Sequence, residues 1–261
     1  MNKRYLTAAV LIAIVFPVLY FGGYPLYILM VLFGCLICYE MNNISTKEWP
    51  ALARILTYPL LLFCMFSTFI RPEMLIVASS VSLMYLFFLL IWYEKVTFEQ
   101  IGLWYLFLNL IGIMCGGIRI LYQLHPLGMF FMLAGTVIPD AGAYFVGRAM
   151  GKHKLNFRIS PNKTIEGSVG GYLTGLAATL ACGLTLFRPI YEQYPAFIIA
   201  GCVLMPLVGQ IGDLAFSAIK RHYKVKDFSN VFPGHGGGLD RLDSISFNCV
   251  LLYVLFILLV K

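Results

Sequence analysis

Runs of apolar residues broken by short polar stretches divide the chain into nine segments, most of them close to the roughly 20 residues needed to cross a hydrocarbon layer of about 30 Å. They lie near Tyr5–Phe21, Pro25–Cys38, Leu52–Ile70, Met74–Tyr93, Ile101–Ile120, Leu127–Val146, Ser168–Phe187, Ala196–Ile219 and Ser244–Val260. Lipid offers the backbone no hydrogen-bond partner, so each segment is expected to be a helix that satisfies its own amides. Barrel strands would alternate polar and apolar positions, which these segments do not. The expected fold is therefore all-α: a polytopic integral membrane protein with about nine transmembrane helices. The second segment is short and the fifth contains Asn109. Lys3-Arg4 before an apolar run resembles a secretory signal, but no small-residue cleavage site follows, and the run reads as a retained first helix.

Composition agrees. The chain is 60% hydrophobic and 12% charged, against roughly 45–50% and about 25% in an ordinary soluble domain. Nine crossings place Lys3, Arg4, Lys47, Arg54, Lys95, Arg148, Lys152, Lys154, Arg158, Lys163, Lys220, Arg221, Lys224, Lys226 and Arg241 on one side, and Arg71, Arg119, Arg188 and Lys261 on the other. That asymmetry predicts a cytoplasmic amino terminus, a carboxy terminus on the opposite side, and basic loops facing the cytoplasm of the inner membrane. No nucleic-acid partner is expected. The seven cysteines all fall inside predicted spans, where a thiol behaves as a small apolar side chain. Cys35-x-x-Cys38 has neither a second pair nor a His partner, so packing is preferred to redox or metal chemistry.

Residues 1–130 read as transmembrane scaffold, with Trp49, Trp92 and Trp104 near interfaces and no charge cluster. Residues 131–261 read as a catalytic region with cytoplasmic loops, because ionisable side chains now enter or flank apolar helices, where they are costly and usually functional. In the first of three polar segments, Asp140, Tyr144 and Arg148 are spaced by four and share a helix face. An intramembrane ion pair is the bland alternative. Downstream, Ser160-Pro161 looks like an N-cap followed by proline at the first helical position, a helix start that with Lys163 beside it suits a phosphate. Glu166 follows in the same stretch. In the second segment, Asp213, Ser217 and Lys220 share a face ahead of Arg221; an Asp213–Lys220 pair formed only for structure is the alternative. The third contains Lys226, His235, Gly236, Gly237, Gly238, Asp240, Arg241 and Asp243. Its glycines permit an amide nest for an anion, and Asp240 and Asp243, three apart, point the same way at the start of the last helix. A plain turn with capping acids is the alternative there.

Carboxylates beside amide-rich loops and several cations suit Mg²⁺ held between Asp and phosphate oxygens, with a nucleoside triphosphate or other polyphosphate as substrate. The lack of a Cys/His set favours magnesium over zinc. His235 reads as a hydrogen-bond or phosphate contact, or as a residue that shapes the turn.

Ser217-x-Ile-Lys220-Arg221, Lys226-Asp227, Phe232-Pro233-x-His235-Gly236-Gly237 and Asp240-Arg241-x-Asp243 resemble the signature of the phosphatidate cytidylyltransferase (CDP-diacylglycerol synthase) family. Asp140-x-Gly-Ala-Tyr-x-x-Gly-Arg148 and Ile159-Ser-Pro-x-Lys163-Thr-x-Glu166-Gly167 are similar to its second recurring stretch. The matches cover the carboxy-terminal half. Gly238, Ala141 and Phe157 depart from the family pattern, where an aliphatic residue, Ser or Thr, and Pro are usual. The resemblance implies that CTP and phosphatidic acid give CDP-diacylglycerol and pyrophosphate, with Mg²⁺ and a candidate second ion, K⁺, and with a homodimer as the expected assembly among membrane lipids. It assigns Asp213, Asp240 and Asp243 to metal, Lys220, Arg221, Lys226 and Arg241 to the triphosphate, and Arg148 and Lys163 to the phosphatidate headgroup, with Asp140 and Glu166 orienting those cations or joining the metal shell. Ser160, Ser217, Gly236, Gly237 and Tyr144 complete the substrate contacts. A transporter is the rival from another class, although its usual paired repeats are absent from the sequence. Another CTP-dependent lipid enzyme is the rival within the same class.

Overall fold

A computed structural model describes residues 3–234 and 236–260. The apolar segments fold as helices: α1 (Lys3–Phe21), α2 (Gly23–Ser45), α3 (Ala51–Ile70), α4 (Met74–Trp92), α5 (Phe98–Leu124), α6 (Gly128–Met150), α7 (Ile165–Leu184), α9 (Pro195–His222) and α10 (Leu239–Leu259), with a short α8 (Arg188–Gln193) between α7 and α9. Among the described residues, eight of these are long and apolar enough to cross a membrane, and α1 adds the shorter apolar stretch Val10–Phe21. The protein is thus an all-α polytopic membrane protein. Helix α2 outruns its apolar segment by one and a half turns or more, because Glu40, Asn42 and Ser45 at its end are buried with partners and so continue the helix instead of ending it.

One expectation is corrected between α6 and α7. Ser160-Pro161 does not start a helix; Ser160–Thr164 is strand β2, paired antiparallel with β1 (Lys154–Asn156). The Asn156 side chain accepts from the Ile159 amide at 3.2 Å, a local turn that reverses the chain before a helix can begin. Pro161 is tolerated in so short a ladder because edge positions need no donor. Helix α7 starts five residues later, where Thr164 caps it by accepting from the Gly167 amide at 3.1 Å.

The chain divides into two compact units: the residues up to Arg119 with Asp227–Arg241, and Ile120–Lys226 with the chain from Leu242 onward. In the first, α2 meets α3 through Asn42, whose Nδ2 donates to Thr57 Oγ1 at 3.1 Å. Trp49 and Trp104 are buried against each other, and Trp49 Nε1 donates to Gln100 Oε1 at 2.8 Å; Trp92 is exposed.

In the second unit, α6 and α7 pack backbone to backbone. Gly167, Gly171 and Gly175 form a stripe along α7 at a spacing of four. A Cβ added at Gly171 would stand 2.6 Å from Pro139 O and 2.8 Å from Ala143 Cβ, and one at Gly167 would stand 2.8 Å from Ala143 O. Small residues at this spacing allow the close approach on which helix pairs in lipid depend. The seam places the functional face of α6 beside the hairpin and the start of α7.

Candidate active site

Several elements of the second unit converge on a cavity of about 440 Å³, and three of them carry most of its polar side chains. Helix α6 supplies Asp140, Tyr144 and Arg148, strand β2 supplies Lys163, and α9 supplies Gln210 and Asp213. The four-residue spacing on α6 carries through to contact, since Arg148 Nη1 donates to the Tyr144 hydroxyl at 3.2 Å. Asp140 sits one turn deeper and feels the charges of Asp213 and Lys163.

Lys163 forms an ion pair with Asp213 Oδ2, and Ser217, one turn along α9, donates to Asp213 Oδ1 at 3.3 Å. The cation beside Asp213 therefore comes from the hairpin; Lys220, weighed as its structural partner, is buried and lies within electrostatic reach of Asp243. Asp243 feels Asp213 and Asp140 as well, so three acids from α6, α9 and α10 share one electrostatic neighbourhood. Asp243 Oδ1 also accepts from the Ser244 amide at 2.7 Å.

Other predicted residues serve the frame of this site. Glu166 accepts from the backbone amides of Lys152 at 3.1 Å and His153 at 3.2 Å, and its Oε1 lies 2.6 Å from His153 Nδ1, which closes the start of the hairpin. Arg221 ties two loops together: its Nε donates to Ile159 O at 3.3 Å and its Nη1 to Val225 O at 3.0 Å. Ser160 is paired with Asn156 in the hairpin, and Lys226 is exposed.

The glycine-rich loop belongs to the first unit and departs from the expected nest. Asp240 Oδ2 accepts from the amides of Phe228 and Gly237, both at 2.9 Å. Glu40 Oε1 accepts from Gly238 N at 2.7 Å and from Ser229 Oγ at 2.6 Å, and Glu40 Oε2 accepts from Leu239 N at 2.8 Å. The amides expected to cradle a substrate phosphate are given to the protein's own carboxylates, which is the capping alternative made concrete. Gly236 adopts φ +77° and bridges to Phe232, a backbone geometry that glycine supplies without steric cost. Gly238, a departure from the family pattern, faces Leu36 and stays anchored through its amide. Arg241 is exposed. His235 lies outside the described residues.

Glu40 escaped the sequence reading altogether. It is fully buried near the end of α2, and the signal that could have found it is a lone acid two residues past an apolar span. Its partners lie up to 199 positions away, beyond any periodic pattern.

The donor chemistry suits magnesium: hard carboxylate oxygens, with the thiols dispersed in the helices. Among the described residues, no group of three or more His, Cys, Asp or Glu could hold a metal by itself. A resident Mg²⁺ would thus draw part of its shell from substrate phosphates and water, its usual habit. Asp213 and Asp243, which lie within electrostatic reach of each other, are the carboxylates that would hold it.

Known proteins resemble the chain over nearly its whole length. The chain is 34% identical to a phosphatidate cytidylyltransferase of Bacillus subtilis (strain 168), covering 99% of this chain and 98% of the relative. It is 31% identical to proteins of the same name from Staphylococcus aureus (strain COL) and Staphylococcus saprophyticus, covering 98% of this chain and 99% of each relative. The cytidylyltransferase family pattern matches residues 2–259, and the chain, spanned almost end to end, belongs to the cytidylyltransferase family.

Proposed function

We propose that this protein transfers CMP from CTP to phosphatidic acid, giving CDP-diacylglycerol and pyrophosphate for phospholipid synthesis. The observation that carries the reading is the cavity where Lys163, Arg148, Asp140 and Asp213 converge, in a chain whose full-length relatives are named for this reaction. A lipid phosphate oxygen attacks the α-phosphorus of CTP. One P–O bond forms as the bond to the departing pyrophosphate breaks. The nucleophile is already ionised at neutral pH, so no general base is required, and catalysis rests on positioning and on stabilising charge. Arg148 and Lys163 bind the phosphatidate headgroup, Tyr144 orients the Arg148 guanidinium, and Lys220 and Lys226 meet the triphosphate. When bound at Asp213 and Asp243, Mg²⁺ supplies charge neutralisation to the phosphate oxygens. Asp240 enters through the loop whose amides it holds. The basic residues crowded into alternate loops support a cytoplasmic orientation for the reaction.

The test is conversion of labelled CTP to a lipid-extractable product by the purified protein in detergent, with phosphatidic acid, with and without Mg²⁺, alongside Asp243→Asn. Magnesium-dependent product that disappears in the variant is expected. No product from folded protein across a range of lipids and ions overturns the reading and directs attention to flux assays in vesicles.

A further inference from the structure

Glu40 is a carboxylate with no exposed surface in an apolar helix, and among the described ion pairs none includes it. A buried charge is costly unless hydrogen bonds replace its water. Here three do: Ser229 Oγ, Gly238 N and Leu239 N at 2.6, 2.7 and 2.8 Å. Two of these donors stand at the start of α10, where the first amides of a helix have no intrahelical partner and the dipole favours negative charge. We propose that Glu40 is a positioning residue: a helix cap lent by α2 that holds the glycine-rich loop in its working shape without touching substrate.

The loop sequence is fitted to this acid. A Cβ at Gly237 would collide with Glu40 Oε1 and would stand 2.7 Å from Ser229 Oγ, so the glycine leaves room for the carboxylate as well as for the backbone. Asp240 holds the other side through Phe228 and Gly237. Two acids, one from α2 and one from α10, thereby divide four loop amides between them. Removing Glu40 leaves Gly238 and Leu239 without that acceptor and leaves Ser229 Oγ with the Val231 amide at 3.4 Å, while the Asp240 contacts remain.

The kinetic part of this inference rests on the reaction proposed above, whereas the structural part does not. The experiment compares wild type, Glu40→Gln and Ser229→Ala in detergent by hydrogen exchange without substrate and by steady-state kinetics. Tyr85→Phe, which removes a half-buried hydrogen bond to Ala53 O at 2.7 Å elsewhere in the same unit, serves as the control. Glu40→Gln keeps the side-chain volume. It is expected to speed exchange at Gly238 and Leu239 by about tenfold or more, with α3 and α4 unchanged. It is also expected to lower kcat by about tenfold or more while the KM for phosphatidate changes less than about twofold. Ser229→Ala should move the same readouts in the same direction by less, and Tyr85→Phe should leave the loop unmoved. Unchanged exchange at Gly238 and Leu239, or equal acceleration throughout the unit, overturns the capping role. Loop-specific acceleration with an unchanged kcat overturns the positioning role. If wild type makes no product from CTP and phosphatidic acid, the proposed reaction fails, and the exchange data alone decide whether Glu40 holds the loop.

Discussion

Lys163 on strand β2 and Asp213 in α9, separated by fifty positions in sequence, form an ion pair at the wall of the cavity. A lysine carries one compact charge. It cannot neutralise Asp213 fully and at the same time meet a lipid phosphate fully, so substrate phosphate and Asp213 compete for it.

Lys163→Ala is therefore expected to raise the KM for phosphatidate by about tenfold, the effect of losing one charge-assisted contact, with a smaller change for CTP. The half-saturating Mg²⁺ concentration should fall, because the cation competing for Asp213 is gone. Initial-rate kinetics over both substrates and Mg²⁺ check this. Equal effects on the two substrates would mean that Lys163 does not serve the lipid headgroup.

Asp243→Asn and Asp240→Asn should fail differently. Asp243 shares its surroundings with Asp213 and Asp140, and its loss should cut kcat by about 10²-fold or more and raise the Mg²⁺ requirement. Asp240 Oδ2 holds two loop amides. Asparagine can keep both bonds only through its neutral amide oxygen, a weaker acceptor than a carboxylate, so activity should fall by an amount that added Mg²⁺ does not restore. Titrations of activity against Mg²⁺ separate the two cases, and recovery of Asp240→Asn at high Mg²⁺ would contradict the loop role.

Gly171→Val tests the seam between α6 and α7. A Cβ there meets Pro139 O at 2.6 Å, so the helices must part, at a cost of about 1–3 kcal/mol. Leu173→Ala, on the exposed side of α7, should stay within about 0.5 kcal/mol. Thermal unfolding in detergent gives the comparison, and equal shifts would deny the seam its role.

Thr164→Ala should destabilise the start of α7 by about 1 kcal/mol by removing the cap on Gly167, with Thr164→Ser restoring most of it. Exchange rates at the Gly167 amide provide the measurement.

What could be read from the sequence was what is periodic. Helices follow from apolar runs, and the shared faces of Tyr144 with Arg148 and of Asp213 with Ser217 follow from a spacing of four, which the contacts bear out. The grouping of Asp140, Lys163 and Asp213 in one cavity was foreshadowed by their polarity, but the pairing of Lys163 with Asp213 was not, because tertiary contact alone selects it over Lys220. The hairpin was mistaken for a helix start since Ser-Pro is common at both, and Asn156 decides between them through a bond only three residues long. Glu40 was missed because its meaning lies in a loop almost two hundred positions away.

The glycine stripe of α7 has a mechanical consequence. Where two backbones already touch, one helix cannot slide along the other without lifting Gly171 over the carbonyl of Pro139. A change in bilayer thickness must then be met by tilting the pair as one body or by deforming the lipid, both of which cost only fractions of a kcal/mol per Å. The spacing between Arg148 on α6 and the capped start of α7 is thus insulated from the thickness of the membrane whose lipid the enzyme is proposed to make.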